Sequence, residues 1–421
     1  MLRTLPTRAA PWRGPDDLFR ALAARHRDVF WLDAGPHAAF GLSAIGWGRP
    51  DDPFRVRAVR CGADAGGTGD RVDPAGWVGW VGYETGAQAA GAPAATDHAD
   101  VPAELWLRVQ GIAVFDHARR TMRIGGEIDP ADPAPALPAA PPARTATGRH
   151  TPDEYAALIG RCRDAIRAGD AYQLCLTTRF EVPGQVDAVA AYLALRAASG
   201  AHHGGFVRSG PVALLSASPE RFLQVESGTV RTQPIKGTRP RGRDAAADAA
   251  LAAELAADPK EQAENVMIVD LMRNDLSRVC RSGSVHVESL LQVETYPTVH
   301  QLVSTVAGRL RDDVTVGDLL AAAFPAGSMT GAPKLSAMTN LHRLEGGPRG
   351  VYSGCFGWVD VGGDLDLAMV IRSIVVHPHG AYVGAGGGIT WRSVAAAEVA
   401  EVGVKARAPL AALGAAVPDG W

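Results

Sequence analysis

Between Glu127 and Arg149 the chain reads EIDPADPAPALPAAPPARTATGR. Its repeated prolines fix φ and remove backbone donors, so neither a helix interior nor a central strand can run through it. The stretch reads as an extended linker or surface loop. It separates an N-terminal region, residues 1–126, from a region spanning 150–410. The first region alternates short β-like runs at 29–32, 77–83, 112–115 and 121–124 with turns rich in Gly and Asp. Its segment GWVGWVGY, residues 76–83, places glycine between bulky side chains, which suits a strand closely approached by another backbone. The second region opens on Thr151-Pro152-Asp153-Glu154, a helix start with Thr as N-cap, Pro at N1 and Glu at N3, predicting a helix to about residue 168. Strands follow at 172–180, 213–216, 351–361, 366–377 and 381–385, and a hairpin pairs 221–225 with 229–232. Helices are expected at 244–257, 261–276, 316–324 and 394–405. Strands and helices interleave without regular βαβ repetition, which predicts an α+β or mixed α/β fold.

Several function classes are excluded early. Lys and Arg total 42 against 45 acidic residues in 421, so no strong field favours nucleic acid. The five cysteines, at 61, 162, 175, 280 and 355, are odd in number and form no CxxC pair. That argues for a reducing cytoplasm, without a disulfide framework or structural zinc. The start, MLRTLPTRAAPWRG, has no apolar core of a signal peptide, and no apolar run is long enough to span a membrane.

The chemistry gathers around Lys236, in Pro234-Ile235-Lys236-Gly237-Thr238. A lysine desolvated in a site loses its charge easily and becomes a nucleophile. The plainer reading is a solvated turn lysine beside Arg239, Arg241 and Arg243, themselves a solvated loop or an anion-binding rim. Carboxylates weigh against it. On a helix, Glu261, Glu264, Ile268 and Leu271 follow 3, 4, 3 spacing and share one inward face. Glu398 and Glu401 repeat the i, i+3 pairing near the C-terminus. Buried carboxylates need a partner or a cation, and four of them suit Mg2+, which takes one or two protein carboxylates plus water and an anionic ligand. The alternative for each pair is a charged helix surface.

Two glycine-rich stretches fail as nucleotide motifs. Gly327 to Lys334 lacks a P-loop ending, and Gly384-Ala-Gly386-Gly387-Gly388-Ile389 has isoleucine where the last glycine is needed. Their backbone N–H groups can still hold a carboxylate. Arg372, ending a strand, is either a bidentate partner for such a group or a surface arginine. No G-x-C-x-G elbow exists, so glutamine hydrolysis by a Cys–His pair is not encoded; adjacent His202 and His203 read as polar loop.

The runs PIKGTRPRG, AENVMIVDLMRNDLSRV, VHQLVSTV, FPAGSMTGAPK and GAGGGITW, in that order, resemble the chorismate-utilising enzymes, strongly over residues 151–405 and more weakly in GWVGWVGYE. The lysine of PIKGT is similar to that of the aminodeoxychorismate synthase component I branch, where anthranilate synthases resemble PIAGT. The resemblance implies a large two-subdomain β-sandwich or orthogonal-sheet core ringed by helices, with the site between sheets. By motif match it implies Mg2+ at Glu264 and Glu401, with Glu261 and Glu398 beside them through water. It implies Glu220 as acid/base and Lys236 as nucleophile, with Thr238, Thr330, Tyr352, Arg372, Gly386, Gly387, Gly388 and Lys405 in substrate-binding motifs. The substrate implied is chorismate, with ammonia from a separate glutamine amidotransferase subunit, in formation of p-aminobenzoate for folate or for a secondary metabolite. Two departures stand out. Gln301 precedes Leu302-Val303-Ser304 where many relatives have histidine, although His300 is adjacent. Phe30-Trp31-Leu32-Asp33-Ala34 replaces the L-L-E-S of a tryptophan site. Within the family, an anthranilate or aminodeoxyisochorismate synthase is the alternative; outside it, a non-catalytic binding homologue, which would not need the metal carboxylates this chain keeps.

Overall fold

The strand Glu104–Asp116 is where two sheets meet. Residues 106–116 pair with Leu42–Asp51 along one edge, while residues 104–108 pair with Gly76–Val81 along the other. The structure, a computed structural model, describes residues 7–36, 38–62, 76–137, 139–296 and 299–421. The first residues of the expected leaderless start and Pro138 of the Pro/Ala-rich stretch lie outside these.

From Leu42–Asp51 the first sheet runs antiparallel through Asp28–Asp33, His203–Ser209, Val212–Ser218, Ser373–His377, Gly380–Ile389 and Gln173–Pro183. From Gly76–Val81 the second runs through Cys355–Asp360, Leu365–Met369, Arg221–Glu226 and Thr229–Thr232 to Val299–Arg309, which also pairs with Ile235–Pro240 and His286–Thr295. Trp77, Trp80, Trp106, Phe222, Phe356 and Leu367 fill the core of the second sheet. Each apolar side chain so buried stabilises the fold by about 1.5–3 kcal/mol. The glycines of GWVGWV are there for close approach: a Cβ on Gly79 would sit 1.9 Å from the Leu105 carbonyl oxygen, and one on Gly76 2.2 Å from that of Val359.

Helices Pro15–Arg25, Pro152–Arg167, Ala188–Ala198, Lys334–Glu345 and Ala395–Ala412 pack their apolar faces on the first sheet. Thr151 closes the expected capping box with Glu154. Ala245–Ala257 and Pro259–Ser277 instead cover the Val299–Arg309 end of the second sheet. This is a mixed α+β fold of two joined sheets ringed by helices, and no helix among the described residues is long and apolar enough to cross a membrane.

The Pro/Ala-rich stretch does not divide the chain into separate bodies. Asp28–Asp33 pairs with His203–Ser209, and Gly76–Val81 with Cys355–Asp360, so strands from before it sit inside sheets completed after it. Strand alternation shows which face is buried, not which partner buries it, so the pairing was hidden. The stretch itself is a surface strap, bridging at Arg144 to Ala415 behind the last helix. Two expected strands are shorter. Residues 351–354 form a turn before Cys355–Asp360, and the run 366–377 breaks between Leu365–Met369 and Ser373–His377, where Arg372 takes a left-handed φ of 52°.

Candidate active site

Lys236 stands on a β-bulge. Ile235 opposes Val303 and Thr238 opposes Gln301, so three steps along this strand face two on its partner. The extra residue bends the strand and re-aims its side chains. Gly237 permits this with φ 79°, and helices Ala245–Ala257 and Pro259–Ser277 close over it. A Cβ there would come 2.8 Å from Leu255 Cδ1 and 3.0 Å from Glu261 Cγ. The close fit sets Glu261 beside the lysine strand. Gly237→Ala is expected to cost about 1–3 kcal/mol, from backbone strain plus overpacking. Urea unfolding would read the effect; an unchanged midpoint would contradict the account.

The neighbouring arginines are not free. Arg239 pairs with Glu254 and Asp258, and Arg241 with Asp248. Lys236, by contrast, makes no side-chain hydrogen bond or ion pair among the described residues and faces a cavity of about 510 Å3. That volume suits a small metabolite. The cavity's wall includes Glu220, Thr238, Glu261, Glu264, Tyr352, Arg372, Gly386, Gly387, Gly388, Glu398, Glu401 and Lys405.

The carboxylates come from two helices, Pro259–Ser277 and Ala395–Ala412. Asn265, wholly buried beside Glu264, donates to the Leu302 carbonyl at 3.2 Å and accepts from Ser304 Oγ at 2.5 Å, locking the first helix to the strand that carries Gln301. Burial and the neighbouring Glu264 raise Glu261 above the usual carboxylate range; burial, with Glu401 nearby, raises Glu398. For Glu401 burial acts upward too, but the Lys405 ammonium at 2.7 Å outweighs it and the net shift is downward. Lys260, whose pKa is raised by all four glutamates against the opposing effect of burial, reaches Glu264 at 3.8 Å. Among the described residues these carboxylates do not close into a tight cage. An all-oxygen donor set of this kind, crowded with like charge and left open on the cavity side, fits Mg2+ held by few carboxylates, water and a bound anion.

Against the helix that carries Glu398 and Glu401 lies the Gly380–Ile389 strand; a Cβ on Gly387 would sit 3.1 Å from Glu398 Oε2. Only residues 380–383 pair with Ser373–His377, so beyond Val383 one edge has no strand partner there. Lys405 takes the Gly386 carbonyl on that stretch at 2.7 Å, and a Cβ on Gly388 would lie 3.6 Å from Lys236 Nζ. The left-handed Arg372 lies on the cavity wall, solvent-exposed and without an ion pair among the described residues. An unpaired guanidinium beside free backbone donors is a carboxylate receptor. Glu220 is almost fully buried and accepts from Ser328 Oγ at 3.1 Å; burial pushes it up to about 7, opposed by Lys236, Ser328 and Lys405.

The family model of chorismate binding enzymes matches residues 25–411. The chain belongs to the chorismate-binding enzyme family. Over 273 residues it is 50% identical to an aminodeoxychorismate synthase of Streptomyces pristinaespiralis, covering 65% of this chain and 38% of that one. It is 40% identical over 338 residues to aminodeoxychorismate synthase component 1 of Klebsiella aerogenes, covering 77% and 74%. Its fold matches the crystal structure of anthranilate synthase component I from Streptococcus pneumoniae with a TM-score of 0.74 at 28% identity, over 96% of this chain and 93% of that one. The chain spans half or less of the length of the Streptomyces aminodeoxychorismate synthases it matches.

Within this chorismate-binding fold, one residue of the expected site lies elsewhere. Thr330 is wholly buried behind the cavity wall; its hydroxyl donates to the Ala326 carbonyl at 3.1 Å and its own carbonyl accepts from Cys175 N at 2.8 Å. It shapes the loop that presents Ser328 and Met329 to the cavity. His300 also points away, bonded to Thr295 and Asp248 at 2.9 Å each, while Gln301 lines the cavity with Oε1 unpartnered among the described residues. Gln173 went unnoticed in the sequence. Its amide has no hydrogen-bond partner among the described residues, and its Nε2 would lie 2.6 Å from a Cβ on Gly388. The signal was there: Gln173, Cys175, Thr177 and Arg179 fall at every second position, with Leu174, Leu176 and Phe180 on the other face, which marks a more polar face on a buried strand.

Proposed function

We propose that this chain aminates chorismate to 4-amino-4-deoxychorismate. The observation that carries the reading is Lys236 on its bulge, unpaired and facing the same cavity as buried Glu220 and the four glutamates. Arg372 and the open edge beyond Val383 hold the carboxylates of the substrate. Mg2+ would be held by Glu264 and Glu401, with Glu261 and Glu398 through water, and would supply positive charge to the ring carboxylate. The Lys236 amine attacks ring carbon 2. The double bonds shift, and the hydroxyl leaves carbon 4 as water, taking the proton of Glu220. Ammonia then adds at carbon 4, the double bonds shift back and the Lys236 amine is expelled, with a proton returned to Glu220.

The ammonia is proposed to come from a glutamine amidotransferase partner, in line with the missing nucleophile elbow and the "component 1" of the Klebsiella relative's name. A cytoplasmic setting suits the five buried, unpaired cysteines. Incubation with chorismate, Mg2+ and ammonium, with the product identified by mass and ring position, tests the reading. Nitrogen at carbon 2, or anthranilate, would replace it by the anthranilate synthase reaction.

Tryptophan is expected not to inhibit at micromolar concentration. Where relatives have L-L-E-S, Trp31 is wholly buried against Phe19 and Tyr192, and Asp33 is bonded to Arg196 at 2.6 Å and to Tyr192 at 3.2 Å. A dose-dependent fall in rate with micromolar tryptophan would contradict this.

A further inference from the structure

A second group of ligand-bearing side chains lies apart from the glutamate cavity. Glu181 projects from Gln173–Pro183 and His377 from the end of Ser373–His377; the Gly380–Ile389 strand runs between them, with Tyr382 opposite Glu181 and Gly380 opposite His377. The loop after Tyr83–Ala89 crosses these strands and lays His98 on them. His98, Glu181 and His377 each bring one ligand atom within 4.8 Å of the others. His377 is only 7% exposed, and its Nε2 has no hydrogen-bond partner among the described residues. A buried imidazole nitrogen left unpaired calls for an explanation.

We propose that His98, His377 and Glu181 form a binding site for a zinc-class divalent ion. Two imidazoles and a carboxylate are a common zinc donor set, completed by water or one further side chain. His379 is placed to be that fourth group, its ring 6.3 Å from that of His377 and its Nε2 3.5 Å from Asp100. The local charge favours a cation. Arg179 lies 3.6 Å from Glu181 but is already held by Asp97 through a bidentate pair at 2.7 and 3.0 Å, and even with Arg149 nearby the acids Asp97, Glu181 and Asp100 outnumber the arginines. Binding requires adjustment. The rings of His98 and His377 stack at 4.5 Å and must tilt to share an ion, which the loop under half-exposed His98 allows. Coordination through His377 Nε2 also places its proton on Nδ1, giving up a long 3.4 Å contact from the His379 N–H. The ion would pin the 90–101 loop, which lines a second cavity with Asp97 and His98, onto the sheet.

The test needs no turnover and is independent of the reaction proposed above. Protein stripped with a chelator is titrated with zinc against a chromophoric chelator, in excess Mg2+ to occupy the glutamate cavity. One equivalent is expected to bind. His377→Ala and Glu181→Gln should weaken it by at least the roughly 10–100-fold that loss of an outer-shell partner costs. His98→Ala, on the loop and losing ring stacking on His377 and Tyr382, serves if His377→Ala does not fold. Failure to bind zinc, or equal binding by His98→Ala, overturns the site.

Discussion

On the reaction proposed for this chain, replacing Lys236 by alanine should leave a folded protein that still binds chorismate and turns it over on the order of 10³-fold more slowly or worse, toward the roughly 10⁶-fold lost with a serine nucleophile. Folding should survive because Lys236 is only half-buried and no hydrogen bond or ion pair among the described residues is lost with it. The reaction should not, because no other amine is free at that place. Lys405 is held by Glu401 and the Gly386 carbonyl, and Lys260 lies against Glu264. Two further variants separate chemistry from charge. Lys236→Arg keeps a cation near Glu220 but cannot serve as the nucleophile, since a guanidinium is not deprotonated in proteins; it should be as inactive as alanine. A small primary amine added to Lys236→Ala should restore some of the rate, since the vacated side chain leaves room for it beside Gly388. Product formation by Lys236→Ala at the wild-type rate would remove the covalent step, and full activity in Lys236→Arg would reduce the lysine to an electrostatic role.

How far the site could be read from the sequence differs from residue to residue. The glutamate pairs were legible because helical spacing turns sequence distance into a shared face, and Ile268 marked that face as inward. The capping box at Thr151 and the close-packed glycines at 76–82 were legible for the same reason: each is a local rule with one geometric outcome. Other features depend on what lies across a sheet. The strands Leu42–Asp51, Ile235–Pro240, His286–Thr295 and Val299–Arg309 went unforeseen. Ile235–Pro240 reads as a turn because Gly237, Pro240 and its arginines resemble loop chemistry; only pairing with Val299–Arg309 makes it a bulged strand. The left-handed Arg372 is likewise invisible in a run of apolar residues, since nothing local forces a non-glycine residue to positive φ. Thr330 was misplaced because a motif gives proximity in the chain, not the side of the wall on which a side chain falls. Gln173 lies on a face whose every-second-residue pattern is visible in the sequence, but that pattern does not say that its amide lacks partners among the described residues.

Glu220→Gln should slow the reaction by about 10²–10⁴-fold, the range typical of losing a general acid, and should also change the pH profile. The carboxyl titrates at about 7, raised mainly by burial. Its protonated form, the one able to deliver a proton to the departing hydroxyl, is therefore abundant below that pH and is lost as the pH rises through it. In the wild type, kcat/KM should fall on the alkaline side with a midpoint near neutrality, as expected of an acid with that pKa in the free enzyme. The amide introduced by Glu220→Gln keeps the shape and can still accept the Ser328 hydrogen bond, so the loss should be chemical, not structural. It carries no titrating proton, so the alkaline limb should vanish along with most of the rate. Lys236→Ala gives the converse check. The lysine's charge holds the Glu220 pKa down, so removing it should move the residual alkaline limb to higher pH. A wild-type profile flat between about pH 6 and 8, or an alkaline limb that persists unchanged in Glu220→Gln, would show that another group protonates the leaving hydroxyl.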